Sequence, residues 1–112
     1  MANIDLTGKV AIVTGASRGM GREMADAIIE AGGKAGLMSP DVAELKKTVA
    51  EINAARGDGK ALALPYDISD YAQCELARDE TIRDLGGLHM VINNAALGQL
   101  NVIGKDAKDT SI

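Results

Sequence analysis

The chain has 112 residues, and its 16 acidic and 12 basic side chains give a net charge of −4 at pH 7. This length suits a single domain, and an acidic balance without a basic stripe argues against a nucleic-acid partner. No apolar run approaches the roughly 18 residues that a membrane helix needs, and the first residues lack the pattern of a secretory signal. We therefore predict a soluble, cytoplasmic chain that binds neither nucleic acid nor membrane.

Cysteine and the aromatic residues carry little chemistry in this sequence. Cys74 is the only cysteine, so it has no second cysteine for an internal disulfide or at metal-ligand spacing. We predict a small, partly buried side chain there and no metal site. Since Tyr66 and Tyr71 are the only aromatic residues, the core must be aliphatic.

Short apolar runs alternate with segments of helical periodicity along most of the chain. The predicted strands are residues 10–13, 34–38, 61–64 and 88–92. Three helices are predicted between them: one from Gly19 to the stop at Gly32, one opened by a capping box at Asp41, and one N-capped by Ser69 that runs towards Leu85. This alternation implies a parallel sheet with right-handed crossovers.

Two expectations concern burial. The apolar residues that recur at helical spacing in the first helix predict its buried face as Met20, Met24, Ala27, Ile28 and Ala31. The run at 88–92 predicts the most deeply buried strand after the first. Residues 97–112 have neither period, so we predict a domain over 1–96 followed by an irregular tail.

The turn after the first strand contains three glycines in the pattern T-G-x-x-x-G-x-G. Gly15 allows a tight turn, Gly19 lets a ligand approach the backbone, and Gly21 lets the helix pack closely on the strand. The helix N-terminus would direct unpaired N–H groups at a pyrophosphate. The pattern differs from G-x-G-x-x-G and from a P-loop, and by itself it is also compatible with a purely structural turn.

Three motifs in register resemble those of the short-chain dehydrogenase/reductase family: "TGASRGMG" (Thr14 to Gly21), "YDISD" with Asp67, and "NNAA" (Asn93 to Ala96). The resemblance covers about residues 6–96, which is less than half of a typical member. It implies a Rossmann-type doubly wound parallel α/β sheet, here truncated to about four strands in the order 3-2-1-4. It also implies an NAD(P)-dependent oxidoreductase that acts on a carbonyl/alcohol pair.

The resemblance places a set of residues against the dinucleotide. The implied cofactor-binding residues are Gly15, Ser17, Arg18, Gly19, Met20, Gly21, Ser39, Asp67, Ile68, Asn94 and Ala95. In the family the glycine turn holds the diphosphate, the Asp and the aliphatic residue after the third strand contact the adenine, and the second Asn faces the ribose. The first Asn, here Asn93, braces the central strands. Asp67 is alternatively a simple turn residue.

The end of the second strand bears on the choice between NAD and NADP. An acidic residue there accepts hydrogen bonds from the ribose 2′-OH, whereas this chain has Ser39 and then Pro40. Arg18 stands where NADP-preferring members often carry a base, and a guanidinium can bind a phosphate bidentately. We predict NADP as the preferred cofactor, with NAD as the alternative, although Pro40 offers neither charge nor N–H. Without an acid at Ser39, a methyltransferase of the same architecture is disfavoured.

The catalytic pattern of the family is Y-x-x-x-K. Tyr66 is followed at the fourth position by Asp70, and Tyr71 by Glu75. Neither tyrosine therefore has the lysine that would stabilise a phenolate. We expect His89 to be a structural residue in a buried strand. No catalytic residue is predicted.

The loss of pattern after Ala96 leads us to expect a prematurely ended or frame-shifted reading frame. Without further strands an apolar strand edge would lie open, so we expect marginal stability and self-association, with a homo-oligomer as one form. Two functions follow: the cofactor-binding half of an oxidoreductase that is inactive alone, or a non-catalytic nucleotide-binding or inert fragment.

Overall fold

The computed structural model describes residues 4–94, which form three layers, helix on sheet on helix. The strands are β1 (Val10–Thr14), β2 (Lys34–Met38), β3 (Ala61–Leu64) and β4 (Met90–Ile92), and the helices are α1 (Gly19–Glu30), α2 (Val42–Arg56) and α3 (Tyr71–Leu85). Ala95, for which a cofactor contact is predicted, and the predicted tail at 97–112 lie outside the described residues.

All strand pairs are parallel, and the strands follow the order β3-β2-β1-β4. β1 is central: Ile12 pairs with Gly36 of β2 on one side and with Val91 of β4 on the other. Every residue of β1 is buried, as the short apolar run predicts. The predicted Rossmann-type sheet in the order 3-2-1-4 is confirmed.

The two faces of the sheet carry different helices, which makes the fold doubly wound. Alternate β1 residues point to opposite faces. Ala11 and Val13 pack in the larger cluster with the buried residues of α1 and α2. Ile12 packs in a second cluster with Leu64 and with Ala77 of α3. Because all four strands are parallel, their carboxyl ends lie at one edge of the sheet, and the chain enters each helix from this edge.

The predicted buried face of α1 is wrong in part. The buried residues of α1 are Gly21, Ala25, Ile28 and Ile29. Met20 is 61% exposed and Ala27 is also exposed. The small residues Gly21 and Ala25 take the inner positions because the helix lies close to the sheet, and the apolar pattern favours larger side chains that this distance excludes.

The N-cap of α3 is Asp70 rather than the predicted Ser69. The Asp70 carboxylate accepts hydrogen bonds from the N–H groups of Ala72 and Gln73, at 2.9 and 3.3 Å. Both the N–H and the hydroxyl of Ser69 instead donate to Asp67. Ser69 and Asp70 both have a side-chain oxygen that could cap the helix. The Asp70 carboxylate does so because it accepts from two N–H groups at once, while the Ser69 hydroxyl is used as a donor to Asp67.

β4 is shorter and less buried than predicted. It comprises only Met90–Ile92, and Val91 is 59% exposed. Among residues 4–94, β4 has a neighbouring strand on one side only, so its burial is incomplete. His89 is exposed and precedes the strand; its Nδ1 accepts from the Val10 N–H at 3.0 Å. The prediction of a buried histidine is wrong, but the residue does have a structural hydrogen bond.

Each helix within 4–94 is too short or too polar to span a lipid bilayer.

Candidate functional site

The turn from β1 to α1 leaves the first turn of that helix without a side-chain cap. Arg18 is the N-cap residue and makes no capping hydrogen bond, and no acidic residue stands in the first turn. By contrast, Asp41 caps α2 and Asp70 caps α3. A helix start whose N–H groups are not taken by side chains provides donors and a partial positive charge for an anion.

The three glycines of this turn have different roles. Gly15 and Gly19 have φ angles of 60° and 64°, a backbone conformation that glycine adopts without strain. A Cβ at Gly19 would meet nothing within 4 Å, so its outer side is open. A Cβ at Gly21 would lie 2.4 Å from the Gly15 carbonyl oxygen. Gly21 therefore permits close packing of the helix, whereas Gly19 leaves room next to the backbone.

Hydrogen bonds join the strand ends into one continuous edge. The Asn94 side-chain amide donates to the Gly15 carbonyl at 3.2 Å. The Ala16 N–H donates to the Met38 carbonyl at 3.3 Å, and the Ser39 N–H to the Leu64 carbonyl at 3.1 Å. These hydrogen bonds connect the ends of β4, β1, β2 and β3 in this order along the edge.

Asn93 and Thr14 link the ends of β4 and β1. The Thr14 hydroxyl lies 3.2 Å from Asn93 Oδ1 and 3.4 Å from the Ile92 carbonyl oxygen, within donating distance of both. This contact supports the bracing role predicted for Asn93. Thr14 is 2% exposed whereas Asn93 is exposed, so the link joins the buried end of β1 to a surface residue after β4.

The segment after β2 contains a buried hydroxyl and an exposed carboxylate. Ser39 is buried, and its Oγ accepts a hydrogen bond from the Asp41 N–H at 3.1 Å. The Asp41 carboxylate accepts from the Glu44 N–H at 3.2 Å. Half of the predicted capping box is therefore present, and Ser39 replaces the Glu44 side chain as acceptor for the Asp41 N–H.

Arg18 is exposed at the N-cap position of α1. In the part of the chain that the structure describes, its guanidinium takes part in no ion pair, whereas Arg22 pairs with Glu51 at 2.8 Å. Arg18 is therefore an uncompensated positive charge at the start of α1.

Asp67 holds the loop after β3. One of its carboxylate oxygens accepts from both the N–H and the hydroxyl of Ser69, at 2.9 and 2.8 Å. These two donors lower the pKa of the Asp67 carboxyl, the backbone N–H contributing most. The Asp67 N–H donates to Gln73 Oε1 at 2.7 Å. The alternative role of Asp67 as a turn residue is thus present in the structure, whatever else the side chain binds.

One cavity lies beside the predicted site residues, and a second lies apart from them. Ile68 is half-buried and lines a mainly apolar cavity of about 210 Å³ together with Thr14 and Met38. A larger cavity of about 470 Å³ lies between α1 and α2. Both arginines that line it are in ion pairs, Arg22 with Glu51 and Arg56 with Asp26, and Glu23 and Glu30 add negative charge to the lining. Because acidic residues outnumber basic ones in its lining, the larger cavity disfavours an anion, and we favour the edge of the sheet as the site.

Neither tyrosine has the environment of an acid/base catalyst. The Tyr66 hydroxyl donates to the Glu80 carboxylate, and this hydrogen bond raises the pKa of Tyr66. Tyr71 is 77% exposed at the start of α3. A tyrosine that exchanges a proton near neutral pH needs a lowered pKa, the opposite of the shift at Tyr66.

Thr48 is a residue of this site that the sequence does not reveal. It is fully buried in α2, and its hydroxyl donates to the Ser17 carbonyl of the glycine turn. Thr48 lies on the same helical face as Leu45 and Ile52, which is the only signal in the sequence. A threonine inside an apolar stripe indicates a buried hydroxyl in need of an acceptor, but not which acceptor.

The comparisons with known proteins agree with this architecture. The sequence profile of the short chain dehydrogenase family matches residues 9–111. An uncharacterised oxidoreductase of Mycobacterium tuberculosis is 38% identical over 94 residues, which are 83% of this chain and 28% of that protein. The chain thus spans less than a third of the length of this relative.

Two solved structures share the fold. A 3-ketoacyl-(acyl-carrier-protein) reductase from Brucella melitensis, complexed with NADH, is 33% identical with a TM-score of 0.70 over 78% of this chain and 34% of its own. A short chain dehydrogenase/reductase from Burkholderia phymatum, in complex with NAD, is 31% identical with a TM-score of 0.72 over 79% and 31%.

The strand order, the two helical layers and the glycine turn define a Rossmann-type protein. Within that class, the chain belongs to the short chain dehydrogenase family.

Proposed function

We propose that this chain is the dinucleotide-binding part of an NAD(P)-dependent oxidoreductase, which transfers hydride between a nicotinamide cofactor and a carbonyl/alcohol substrate. One observation carries the proposal: the uncapped start of α1 lies directly after the glycine turn at the carboxyl edge of the sheet. In open α/β sheets, ligands bind at this edge, and a pyrophosphate suits the donors there. The NADH and NAD bound to the two solved relatives support the ligand class.

Each predicted residue has a role in this proposal. The backbone from Gly15 to Gly21 surrounds the diphosphate: Arg18, Gly19 and Met20 are exposed there, Ser17 is buried beneath them, and Gly21 is packed against Gly15. Asp67 and Ile68 contact the adenine, and Ile68 provides an apolar surface beside the 210 Å³ cavity. We propose that Asn94 contacts the ribose, and the predicted contact of Ala95, which is outside the described residues, remains a prediction. Backbone donors provide most of the binding, because the turn contains few polar side chains.

We further propose a preference for NADP. The Arg18 guanidinium has no ion pair within 4–94, so it is available to a 2′-phosphate. The first residue after β2 is Ser39 rather than an acid, and the Asp41 carboxylate two residues further on caps α2. Ser39 keeps its O–H as a donor while its oxygen accepts from the Asp41 N–H. The relatives with NADH and NAD leave this choice open, so the preference rests on Arg18 and Ser39.

Hydride transfer itself needs groups that the 112 residues do not contain. No tyrosine is followed by lysine at the fourth position, and Tyr66 is engaged with Glu80. We therefore propose that this chain binds the dinucleotide without turning over substrate. The second candidate, a non-catalytic nucleotide-binding module, is favoured by this same observation. We expect no NADPH oxidation by the purified chain with a panel of ketones, and turnover would overturn both the proposed lack of catalysis and the second candidate.

Isothermal titration of the full chain with NADPH and with NADH tests the binding proposal, after circular dichroism has shown that the chain is folded. We expect saturable binding with a lower Kd for NADPH. Arg18→Ala should abolish the preference, and Arg22→Ala is the matched control, because that arginine lies on the same helix but is paired with Glu51. A folded chain that binds neither dinucleotide would refute the proposal.

A further inference from the structure

Three consecutive residues of the glycine turn each have a backbone group that is held by a different part of the fold. Asn94, after β4, donates to the Gly15 carbonyl, and the Ala16 N–H donates to the Met38 carbonyl of β2. The third bond comes from α2, where the Thr48 hydroxyl donates to the Ser17 carbonyl. Only this last bond uses a fully buried side chain, and it joins residues 31 positions apart.

The direction of these carbonyl groups matters for an anion. A carbonyl oxygen carries partial negative charge, so one aimed at a pyrophosphate would repel it. The donors on Asn94 and Thr48 hold the oxygens of Gly15 and Ser17 against the protein. With these oxygens held, the chain enters α1 with its first N–H groups presented to the ligand.

We propose that Thr48 is a positioning residue for dinucleotide binding, whose buried hydroxyl fixes the Ser17 carbonyl and thereby sets the glycine turn in its anion-binding conformation. This inference rests on the proposed function of the same turn. It assigns to α2 a part in the diphosphate site, although no residue of that helix belongs to the glycine motif. Valine has nearly the same shape as threonine but lacks the hydroxyl, so Thr48→Val tests the hydrogen bond rather than the packing volume.

The chain contains a matched control. Thr81 of α3 is also fully buried, but its hydroxyl donates to the Ala77 carbonyl of its own helix, at 2.7 Å. Thr48→Val and Thr81→Val therefore remove the same atom from equally buried positions on opposite faces of the sheet. Thr48→Ser keeps the hydroxyl and removes only a methyl group.

The experiment measures three quantities for wild type and these three variants: the Kd for NADPH, the melting temperature, and the hydrogen-exchange rates of the amides of residues 16–20. For Thr48→Val we expect Kd to rise roughly tenfold, the cost of a buried carbonyl without its partner, and exchange in the turn to accelerate. Thr81→Val should lower the melting temperature similarly without either change. Thr48→Ser should restore Kd to within about twofold of wild type.

Three other results would overturn the positioning role of Thr48 or the proposed function on which it rests. Equal Kd and equal exchange for Thr48→Val and Thr81→Val would overturn the positioning role. If Thr48→Val does not fold while Thr48→Ser does, the hydroxyl serves the fold and the role is also overturned. If wild type binds neither NADPH nor NADH, the proposed function fails, and the exchange rates alone decide whether Thr48 holds the turn.

Discussion

The side-chain amide of Asn94 donates a hydrogen bond to the backbone carbonyl of Gly15, 3.2 Å away and 79 positions earlier in the sequence. A Cβ at Gly21 would lie 2.9 Å from the nitrogen of the same amide. Asn94, Gly15 and Gly21 therefore form one close contact between the end of β4, the turn and the start of α1. This contact fixes the part of the turn that we propose binds the diphosphate.

Asn94→Asp should weaken dinucleotide binding more than it weakens the fold. The variant places a carboxylate oxygen against the Gly15 carbonyl and adds negative charge beside an anionic ligand. We expect a loss of about 1 kcal/mol in unfolding free energy and a Kd for NADPH raised roughly tenfold. Urea unfolding and calorimetric titration measure the two effects.

Asn53→Asp is the matched control for that variant. The Asn53 side chain accepts from the Ala61 N–H at 2.8 Å and donates to the Ala61 carbonyl at 3.0 Å, away from the turn. The change should lower stability by a similar amount and leave the Kd unchanged. Equal losses of affinity in Asn94→Asp and Asn53→Asp would contradict the role of Asn94.

Gly21→Ala should destabilise the chain even though it replaces glycine inside a helix. Helix propensity alone favours alanine by up to about 1 kcal/mol. The added Cβ would lie 2.4 Å from the Gly15 carbonyl oxygen, and backbone atoms move aside only at a cost. Overpacking of this kind costs about 1 to 3 kcal/mol, so we expect a net loss.

Urea unfolding of Gly21→Ala beside Gly59→Ala separates close contact from backbone strain. Gly59 has φ of 77° and open space around a Cβ, so alanine there should cost only about 1 kcal/mol. Dinucleotide binding should survive in Gly59→Ala and be lost in Gly21→Ala. A Gly21→Ala chain more stable than wild type would show that the contact is not as close as described.

Asp67 should make stability depend on pH in the acid range. The two Ser69 donors lower the pKa of Asp67 from its usual value near 3.8. The ionised carboxylate is therefore more stable in the folded state than in the unfolded state. The resulting stabilisation is present above that usual value and is lost as the pH falls through the lower folded pKa. The Asp26 carboxyl, whose pKa Arg56 also lowers, contributes with the same sign.

Asp67→Asn isolates this contribution. The amide oxygen can still accept from Ser69, so we expect the melting temperature at pH 7 to change little. Between pH 5 and pH 2 the melting temperature should fall less steeply than in wild type, and Ser69→Ala should lie between the two. Parallel curves for wild type and Asp67→Asn would rule out the proposed origin of the acid sensitivity.

The exposed edge at β4 should make the chain associate. Val91 is 59% exposed on this strand, whose outer side has no neighbouring strand among residues 4–94. Val91→Lys should shift the population towards monomer in light scattering, since a charge on an edge strand opposes strand pairing. Val42→Lys, at an equally apolar exposed position on α2, is the control. A wild-type chain that is a monodisperse monomer would contradict this expectation.

The sheet could be predicted from the sequence more completely than the helix packing. The predicted bounds of β2 and β3 agree with the structure, and β1 extends one residue further, to Thr14. Short apolar runs bounded by turn residues are typical of strands in a sheet that is covered on both faces. The strand order came from the family resemblance, because hydrophobic pattern alone does not determine which strands are neighbours.

The errors have physical causes that a single sequence does not reveal. Gly21 and Ala25 form the contact face of α1, but an apolar pattern gives weight to larger residues such as Met20. The burial of β4 depends on a neighbouring strand, which the residues of β4 do not encode. The site residues around the glycines could be identified from the motif, whereas the Thr48 contact with Ser17 depends on how α2 packs against the turn.

The proposal that the glycine turn binds the dinucleotide is tested most directly by locating the bound cofactor. The shifts of backbone amide resonances on addition of NADPH to the full chain measure this location. We expect saturable shifts at residues 15–21, 39 and 67–68. The resonances of the amides around Asp26 and Arg56, in the larger cavity, should not move. Shifts confined to that cavity, or no shifts in a folded chain, would contradict the assignment of the glycine turn as the binding site.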